Sequence, residues 1–250
     1  MRQERSPAPF FSIRGLEKSF NNKPVLTGVT LDVEEGETLV VLGASGVGKT
    51  VLLRHLNGLL QPDRGEVRVR GVSLNDRDEE QLAELRKDVG MVFQLGGLFD
   101  SLTVYENIAY PLREHTAWRE REISRRVGEL LAAVELERSG KLYPAELSGG
   151  MRKRVALARA LALEPKAVLY DEPTTGLDPL ATRKINLLIR NLQRRLGFTS
   201  VVVTHDLRSA FAVGDRFALL DGGKVCFMGN RETVSRAEDG LMKEFVEAAL

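Results

Sequence analysis

Eight consecutive residues narrow the possible folds more than anything else in the chain: Gly43, Ala44, Ser45, Gly46, Val47, Gly48, Lys49 and Thr50. They follow a continuously apolar stretch, residues 38–42, and lead into helical spacing over residues 49–60. An apolar run of that kind is a strand buried on both faces, so the loop stands at the end of a sheet covered by helices. Glycines at 43, 46 and 48 let the backbone curl around phosphates and point several N–H groups inward. The helix behind adds the positive end of its dipole. Lys49 supplies a point charge for outer phosphates, and Thr50 a hydroxyl for Mg²⁺. A chance glycine turn is the plain alternative, and the strand before and helix after argue against it.

The second chemical feature is the strand-like segment Ala167, Val168, Leu169, Tyr170, which ends in Asp171 and Glu172. Asp171 can hold Mg²⁺ through its water shell, and Glu172 can orient and polarise an attacking water. Two adjacent acids could equally be a solvated exit from a strand. With the phosphate loop upstream, the pair points to a nucleoside triphosphatase without saying which kind.

Around these motifs the pattern predicts strands at residues 11–20, 29–33, 37–42, 66–70, 89–93, 167–170, 200–203, 217–220 and 224–228. Helices are expected near residues 49–60, 78–87 and 180–196, the last stopped by Gly197. Residues 96–145 carry no convincing buried strand. There Ile123, Val127, Leu130, Leu131 and Val134 follow helical spacing. The expected fold class is α/β: a P-loop NTPase core with a mostly parallel sheet, an N-terminal antiparallel β subdomain and an inserted α-helical subdomain. As one domain over residues 1–250, it divides into a core with its β subdomain (1–95 and 146–250) and a helical part (96–145).

Composition excludes more than it asserts. The 250 residues are 43% hydrophobic and 28% charged, and 36 Lys+Arg against 35 Asp+Glu leave a formal charge of +1. No broad positive field favours nucleic acid, and no apolar run approaches the roughly 18–20 residues that cross a bilayer. Residues 1–9 are charged and proline-bearing without an apolar h-region, which reads as a frayed start and not a signal peptide. The lone Cys226 cannot form an intrachain disulfide and is expected as a small core or sheet residue. The resulting expectation is a soluble, cytoplasmic protein.

Leu147, Ser148, Gly149, Gly150 and Met151 resemble the signature of ABC-type ATPases, with Met where glutamine is usual. Ser148 stands where an N-cap belongs, and the two glycines leave room for a phosphate at a helix start. An ordinary helix start would also read this way; the order of the surrounding motifs tells against it. Gln94 resembles the Q-loop glutamine that senses Mg²⁺ and the γ-phosphate. Thr175, Gly176, Leu177 and Asp178 are similar to the D-loop, and His205 to the switch histidine at the γ-phosphate. Phe20 stands where the family stacks an aromatic, usually Tyr, on adenine. This resemblance, over residues 12–229, implies ATP with Mg²⁺ held by Thr50, Gln94 and Asp171. It also implies a head-to-tail homodimer in which Ser148, Gly149 and Gly150 close on the ATP of the other copy. Met151 leaves the serine and glycines intact, so both composite sites are expected to be competent.

Residues 91–115, with Gly97, Leu98, Phe99 and Asp100 and then Tyr110, Pro111, Leu112, Arg113, Glu114 and His115, resemble the ATPases of Mla and MCE (mammalian-cell-entry) phospholipid-transport systems of Gram-negative bacteria. Residues 239–250, apolar at Leu241, Phe245 and Val246, resemble that group's short closing helix. The resemblance implies integral-membrane permease subunits, a periplasmic MCE lipid-binding subunit, a STAS-domain protein, and a peripheral place on the cytoplasmic face of the inner membrane. Leu98, Phe99 and Tyr105 could instead simply pack the helical part. Other readings are an importer ATPase for another small solute, a soluble ABC machine acting on DNA or ribosomes, and a catalytically dead scaffold. A single cassette without long heptads or basic excess argues against the machine, and Glu172 and His205 against the scaffold.

Overall fold

The computed structural model describes residues 8–236 and 240–247. In chain order the strands are β1 (Phe11–Phe20), β2 (Lys23–Val33), β3 (Thr38–Leu42), β4 (Arg64–Val69), β5 (Val72–Ser73), β6 (Val89–Val92), β7 (Ala167–Asp171), β8 (Thr199–Thr204), β9 (Arg216–Asp221) and β10 (Lys224–Asn230). The helices are α1 (Lys49–Leu56), α2 (Glu79–Asp88), α3 (Val104–His115), α4 (Glu120–Ala133), α5 (Gly149–Ala160), α6 (Pro179–Leu196), α7 (Leu207–Val213), α8 (Arg231–Ser235) and α9 (Gly240–Glu247).

Two sheets result. An antiparallel one runs in the order β2-β1-β4-β5, and a six-stranded one in the order β10-β9-β3-β8-β7-β6. All neighbours in the larger sheet are parallel except the β9–β10 hairpin. β3, β7 and β8 are buried along their whole length, and period-two alternation sends their side chains into different cores. Leu39, Val41, Leu169, Val201 and Val203 join a cluster with α1 and the antiparallel sheet. Val40, Leu42, Val168, Tyr170 and Val202 join the cluster beneath α3 to α7. The phosphate loop leaves the end of β3, at the centre of this sandwich.

Several element ends differ from expectation for visible reasons. The first helix stops at Leu56, because Gly58 takes a positive φ of 69° and the Asn57 amide oxygen accepts from the Leu59 N–H at 3.2 Å. β2 begins six residues before the clean alternation starts. Gly28, at φ 109°, breaks the pattern mid-strand, and Pro24 is tolerated because β2 is an edge strand. Gly197 ends α6 at φ 72° as expected.

Helices α3 and α4 occupy the stretch predicted to be helical, and Ile123, Val127, Leu130, Leu131 and Val134 are buried. A capping box starts α3: the Thr103 hydroxyl accepts from the Glu106 N–H and the Glu106 carboxylate from the Thr103 N–H. Both helices share one cluster with α5. Cys226 lies in β10 but is exposed, so it is a sheet residue and not a core one. In the expected closing helix, α9 is present and Val246 packs partly buried on the core. Residues 239 and 248–250, with the side chains of Leu241 and Phe245, lie outside the described residues. No helix among the described residues is long and apolar enough to cross a membrane.

Candidate active site

The loop between β3 and α1 holds its three glycines for different reasons. Gly43 (φ 159°) passes so close to β9 that a Cβ would sit 2.5 Å from the Leu220 carbonyl oxygen. Gly48 (φ 110°) caps α1, and a Cβ there would lie 2.9 Å from the Leu26 side chain. Gly46 (φ 79°) faces open space; only its backbone angle demands glycine. The first two are fixed by packing, and the third leaves the concave face of the loop free.

Buried Lys49 turns back across this loop. Its ammonium donates to the carbonyls of Gly43 and Ala44 at 2.8 and 2.9 Å and pairs with the Glu172 carboxylate at 3.2 Å. Thr50 donates its hydroxyl to the Asp171 carboxylate at 2.9 Å. Burial raises the Asp171 carboxyl above the usual carboxylate range; the Thr50 bond opposes this and the neighbouring Glu172 charge adds to it. A buried carboxylate beside a hydroxyl oxygen suits a hard, oxygen-seeking cation.

Glu172 is the most heavily bonded side chain of the site. It adopts a positive φ of 45°, uncommon for a residue with a Cβ. Its N–H is tied to the Val203 carbonyl of β8 at 3.0 Å. His205 Nδ1 lies 3.0 Å from both carboxylate oxygens, and the hydroxyls of Thr175 and Thr204 donate at 3.2 Å. A carboxylate only accepts, so Nδ1 carries the proton. Burial alone would raise this carboxyl, but the His205 bond and the Lys49 charge outweigh it and hold it below the ordinary range. Glu172 is therefore an ionised base, held in one orientation.

A cavity of about 410 Å³ brings Ser45, Gly46, Gly48, Lys49, Thr50, Gln94 and Glu172 together, with Val25 and Val51. Ala44 enters through its carbonyl bond to Lys49, Val47 packs partly buried on the core, and Asp171 is reached through Thr50. Phe20 does not line this cavity. It lies half-exposed at the β1–β2 turn with the Lys18 ammonium 5.8 Å from its ring centre.

Ser148, Gly150, Met151 and Asp178 line a different cavity, of about 220 Å³. Both polar residues are helix caps here. The Ser148 hydroxyl accepts from the Met151 N–H at 3.2 Å, and the Asp178 carboxylate from Leu180 and Ala181 N–H at 2.9 Å. Gly149 approaches Leu177, whose side chain would be 3.2 Å from an added Cβ.

Three neighbours of Glu172 escaped the sequence reading: Thr204 and the Thr175 hydroxyl at its carboxylate, and Lys153 at its backbone carbonyl. Lys153 is buried on α5 and donates to the Gln94 carbonyl, and to the Glu172 carbonyl at 3.3 Å. Burial lowers its ammonium from the usual lysine range, while Asp171 and Glu172 pull it back up. The signal was helical spacing: Lys153 falls on one face with Gly149, Ala156 and Ala160, a position for a buried residue.

A glycine loop at a helix start, a lysine folded over it, and a hydroxyl–carboxylate pair beside an ionised glutamate define a phosphate-loop nucleoside triphosphatase. The profile of the ABC transporter family matches residues 26–175, and the chain belongs to that family, as an ATPase subunit. Over 234 residues it is 41% identical to the probable ribonucleotide transport ATP-binding protein mkl of Mycobacterium leprae, covering 94% of this chain and 67% of that protein. The methionine import ATP-binding protein MetN of Clostridium tetani is 41% identical, with coverage of 94% and 74%. The intermembrane phospholipid transport system ATP-binding protein MlaF of Escherichia coli K12 is 36% identical, with coverage of 98% and 91%. Among solved structures, the dimeric post-hydrolysis state of the ATP-binding cassette MJ0796 bound to ADP and Pi superposes with a TM-score of 0.81. It is 36% identical, covering 88% of this chain and 98% of that one.

Proposed function

We propose that this ATPase works as a head-to-tail homodimer on the cytoplasmic face of the inner membrane and powers phospholipid transport of the Mla/MCE kind. Within the chain, Lys49 and the loop N–H groups bind the ATP phosphates, and Thr50, Asp171 and Gln94 hold Mg²⁺. An ion held there would supply charge neutralisation at the phosphates. Glu172, ionised and oriented by His205, Thr175 and Thr204, polarises the attacking water and accepts its proton. Ser148, Gly149 and Gly150 serve the other copy's nucleotide. Their cavity is not the one that Lys49 lines, and the MJ0796 cassette is itself dimeric.

The relatives' names divide over ribonucleotide, methionine and phospholipid. The observation that favours the lipid reading is the groove beside Gln94, about 400 Å³, lined by Phe93, Phe99, Tyr110, His115 and Arg159. Phe99 and Tyr110, from the two Mla-like segments, meet in it with ring centres 5.0 Å apart, while Leu98 and Tyr105 pack inward on the core. This groove is where a permease helix would dock, with an MCE subunit and a STAS-domain protein completing the assembly. The 41% identity to the methionine importer favours a second reading, an importer for a small solute. Affinity purification of the tagged chain from detergent-solubilised membranes decides between them. An associated MCE subunit and hydrolysis stimulated by phospholipid are expected; a solute permease and stimulation by methionine would establish the second reading.

A further inference from the structure

Two lysines are buried among the described residues. Lys49 belongs to the phosphate cradle, and Lys153, on the helix that starts at Ser148, has no task in the chemistry above. Its ammonium donates to two backbone carbonyls from different parts of the chain, those of Gln94 and Glu172. The second matters because of where Glu172 sits. A positive φ of 45° at a residue with a Cβ persists only where the surroundings over-determine it.

The restraints can be named. The Glu172 N–H is held by Val203. Its carbonyl accepts from the Thr175 N–H at 3.3 Å and from Lys153 at 3.3 Å. The residue that follows is Pro173, which has no N–H to give. Among the described residues Lys153 is thus the one side chain that binds the backbone of Glu172, and the same ammonium reaches Gln94, beside the exposed groove. Three parts of the chain meet at one cation: the helix capped by Ser148, the loop after β6, and the strand end that carries the base.

We infer that Lys153 is a positioning residue for hydrolysis: it locks the Glu172 backbone to Gln94, so that a shift of the loop or of α5 reaches the catalytic carboxylate through its side chain. The inference rests on Glu172 as the group that activates water. A displacement of about 1 Å at such a group is enough to cost on the order of 10²-fold in rate. Lys153 does not line the cavity that Lys49, Thr50 and Glu172 share, so ground-state nucleotide binding is left to Lys49 and Thr50.

The test uses the full-length purified chain with Lys153→Met, Lys153→Arg, Glu172→Gln and the Lys153→Met/Glu172→Gln double variant. Steady-state ATPase gives kcat and KM, titration calorimetry gives the ATP Kd, and thermal unfolding gives Tm. Lys153→Met should lower kcat by about 10- to 100-fold with the ATP Kd within about threefold of the parent. Lys153→Arg, which keeps charge and donors, should recover most of that loss. In the Glu172→Gln background, Lys153→Met should remove nothing more, because its effect passes through the missing carboxylate. A parental kcat in Lys153→Met overturns the inference. So does an equal further loss on top of Glu172→Gln, or a loss that follows the folded fraction. Should Lys153→Met fail to fold, Lys153→Gln, uncharged and one atom too short to keep both carbonyl bonds, replaces it, and parental kcat there is equally fatal. Parental hydrolysis by Glu172→Gln alone would instead overturn the role of the carboxylate, a separate failure.

Discussion

The cradle around Glu172 and the patch around Ser148 are built on opposite plans. Glu172 has Lys49, His205, Thr175 and Thr204 on its carboxylate, all from its own chain. Ser148 has a single cap bond, and Asp178 two. Glycines of the cradle are enforced by packing at Gly43 and Gly48, whereas Gly150 has only an ordinary contact, 3.8 Å from Ala181 to an added Cβ. One region is preorganised inside the fold. The other is satisfied as a pair of helix starts and keeps space that folding does not use. On the proposed head-to-tail reading, the difference is that of an active site half finished within one chain, its second half being surface until the other copy arrives.

The largest effect should come from the finished half. Glu172→Gln keeps shape and loses the base, so turnover should fall on the order of 10²–10⁴-fold. ATP binding should persist and a two-ATP dimer accumulate, visible by size exclusion with light scattering. Near-parental steady-state hydrolysis would show that the dense bonding around this carboxylate is structural.

The second prediction attacks the unfinished half. Ser148→Arg leaves the cradle of its own chain intact, yet its homodimer should hydrolyse little ATP. Lys49→Ala fails for the opposite reason, by losing the cation at the phosphates. In a mixed dimer, one composite site collects both defects and the other neither, so hydrolysis should return on mixing. Strong coupling between sites would hold it well below half of the parent's rate. No recovery, with heterodimers shown to be present, would place Ser148 on its own chain's nucleotide and dissolve the comparison.

These two tests also mark what could be read from the sequence. The loop of residues 43–50, Asp171 and Glu172 were legible because each motif is contiguous, and the strand before it sets its place at a sheet end. The sheet itself followed from the buried runs at residues 38–42, 167–170 and 200–203. Boundaries slipped where a glycine overrode periodicity, at Gly28 and Gly58. The partners of Glu172 were hidden because they assemble from β8, the loop after β7 and α5: nothing local marks Thr204 as facing its carboxylate, and helical spacing marks Lys153 as buried without naming the backbone carbonyl it meets. Phe20 was named by position in a motif order, which carries no information on whether a ring faces a cavity. Cys226 was expected in the core or the sheet, and edge strand β10 exposes it.

A smaller effect concerns pH. The carboxyl of Glu172 is held below the ordinary glutamate range, so its ionised form is favoured by the fold. Its contribution is complete above the ordinary glutamate value and is lost as pH falls through the lowered one. His205→Ala removes the largest influence that opposes burial, so the acid limb of kcat should move to higher pH. Turnover at neutral pH should also fall, on the order of 10²-fold, as when one charge-stabilising donor is removed. A pH–rate profile with an unmoved acid limb would separate His205 from the ionisation of Glu172.

The smallest predicted change is one of stability, and it tests the comparison where the two regions look most alike, at their glycines. Gly48→Ala places a methyl 2.9 Å from the Leu26 side chain at φ 110°, so its unfolding free energy from urea titration should fall by more than about 1 kcal/mol. Gly150 stands in the first turn of α5 without a positive φ. Alanine there avoids the entropic cost of glycine in a helix, and the fold should be unchanged or firmer by less than about 1 kcal/mol. Hydrolysis should nevertheless fall, because the methyl occupies room that a phosphate of the other copy needs. The informative result is the sign of the pair: a firmer fold with weaker turnover at Gly150. If Gly150→Ala instead loosens the fold as Gly48→Ala does, both glycines serve packing within the chain, and the open space at Ser148 would need no second molecule to explain it.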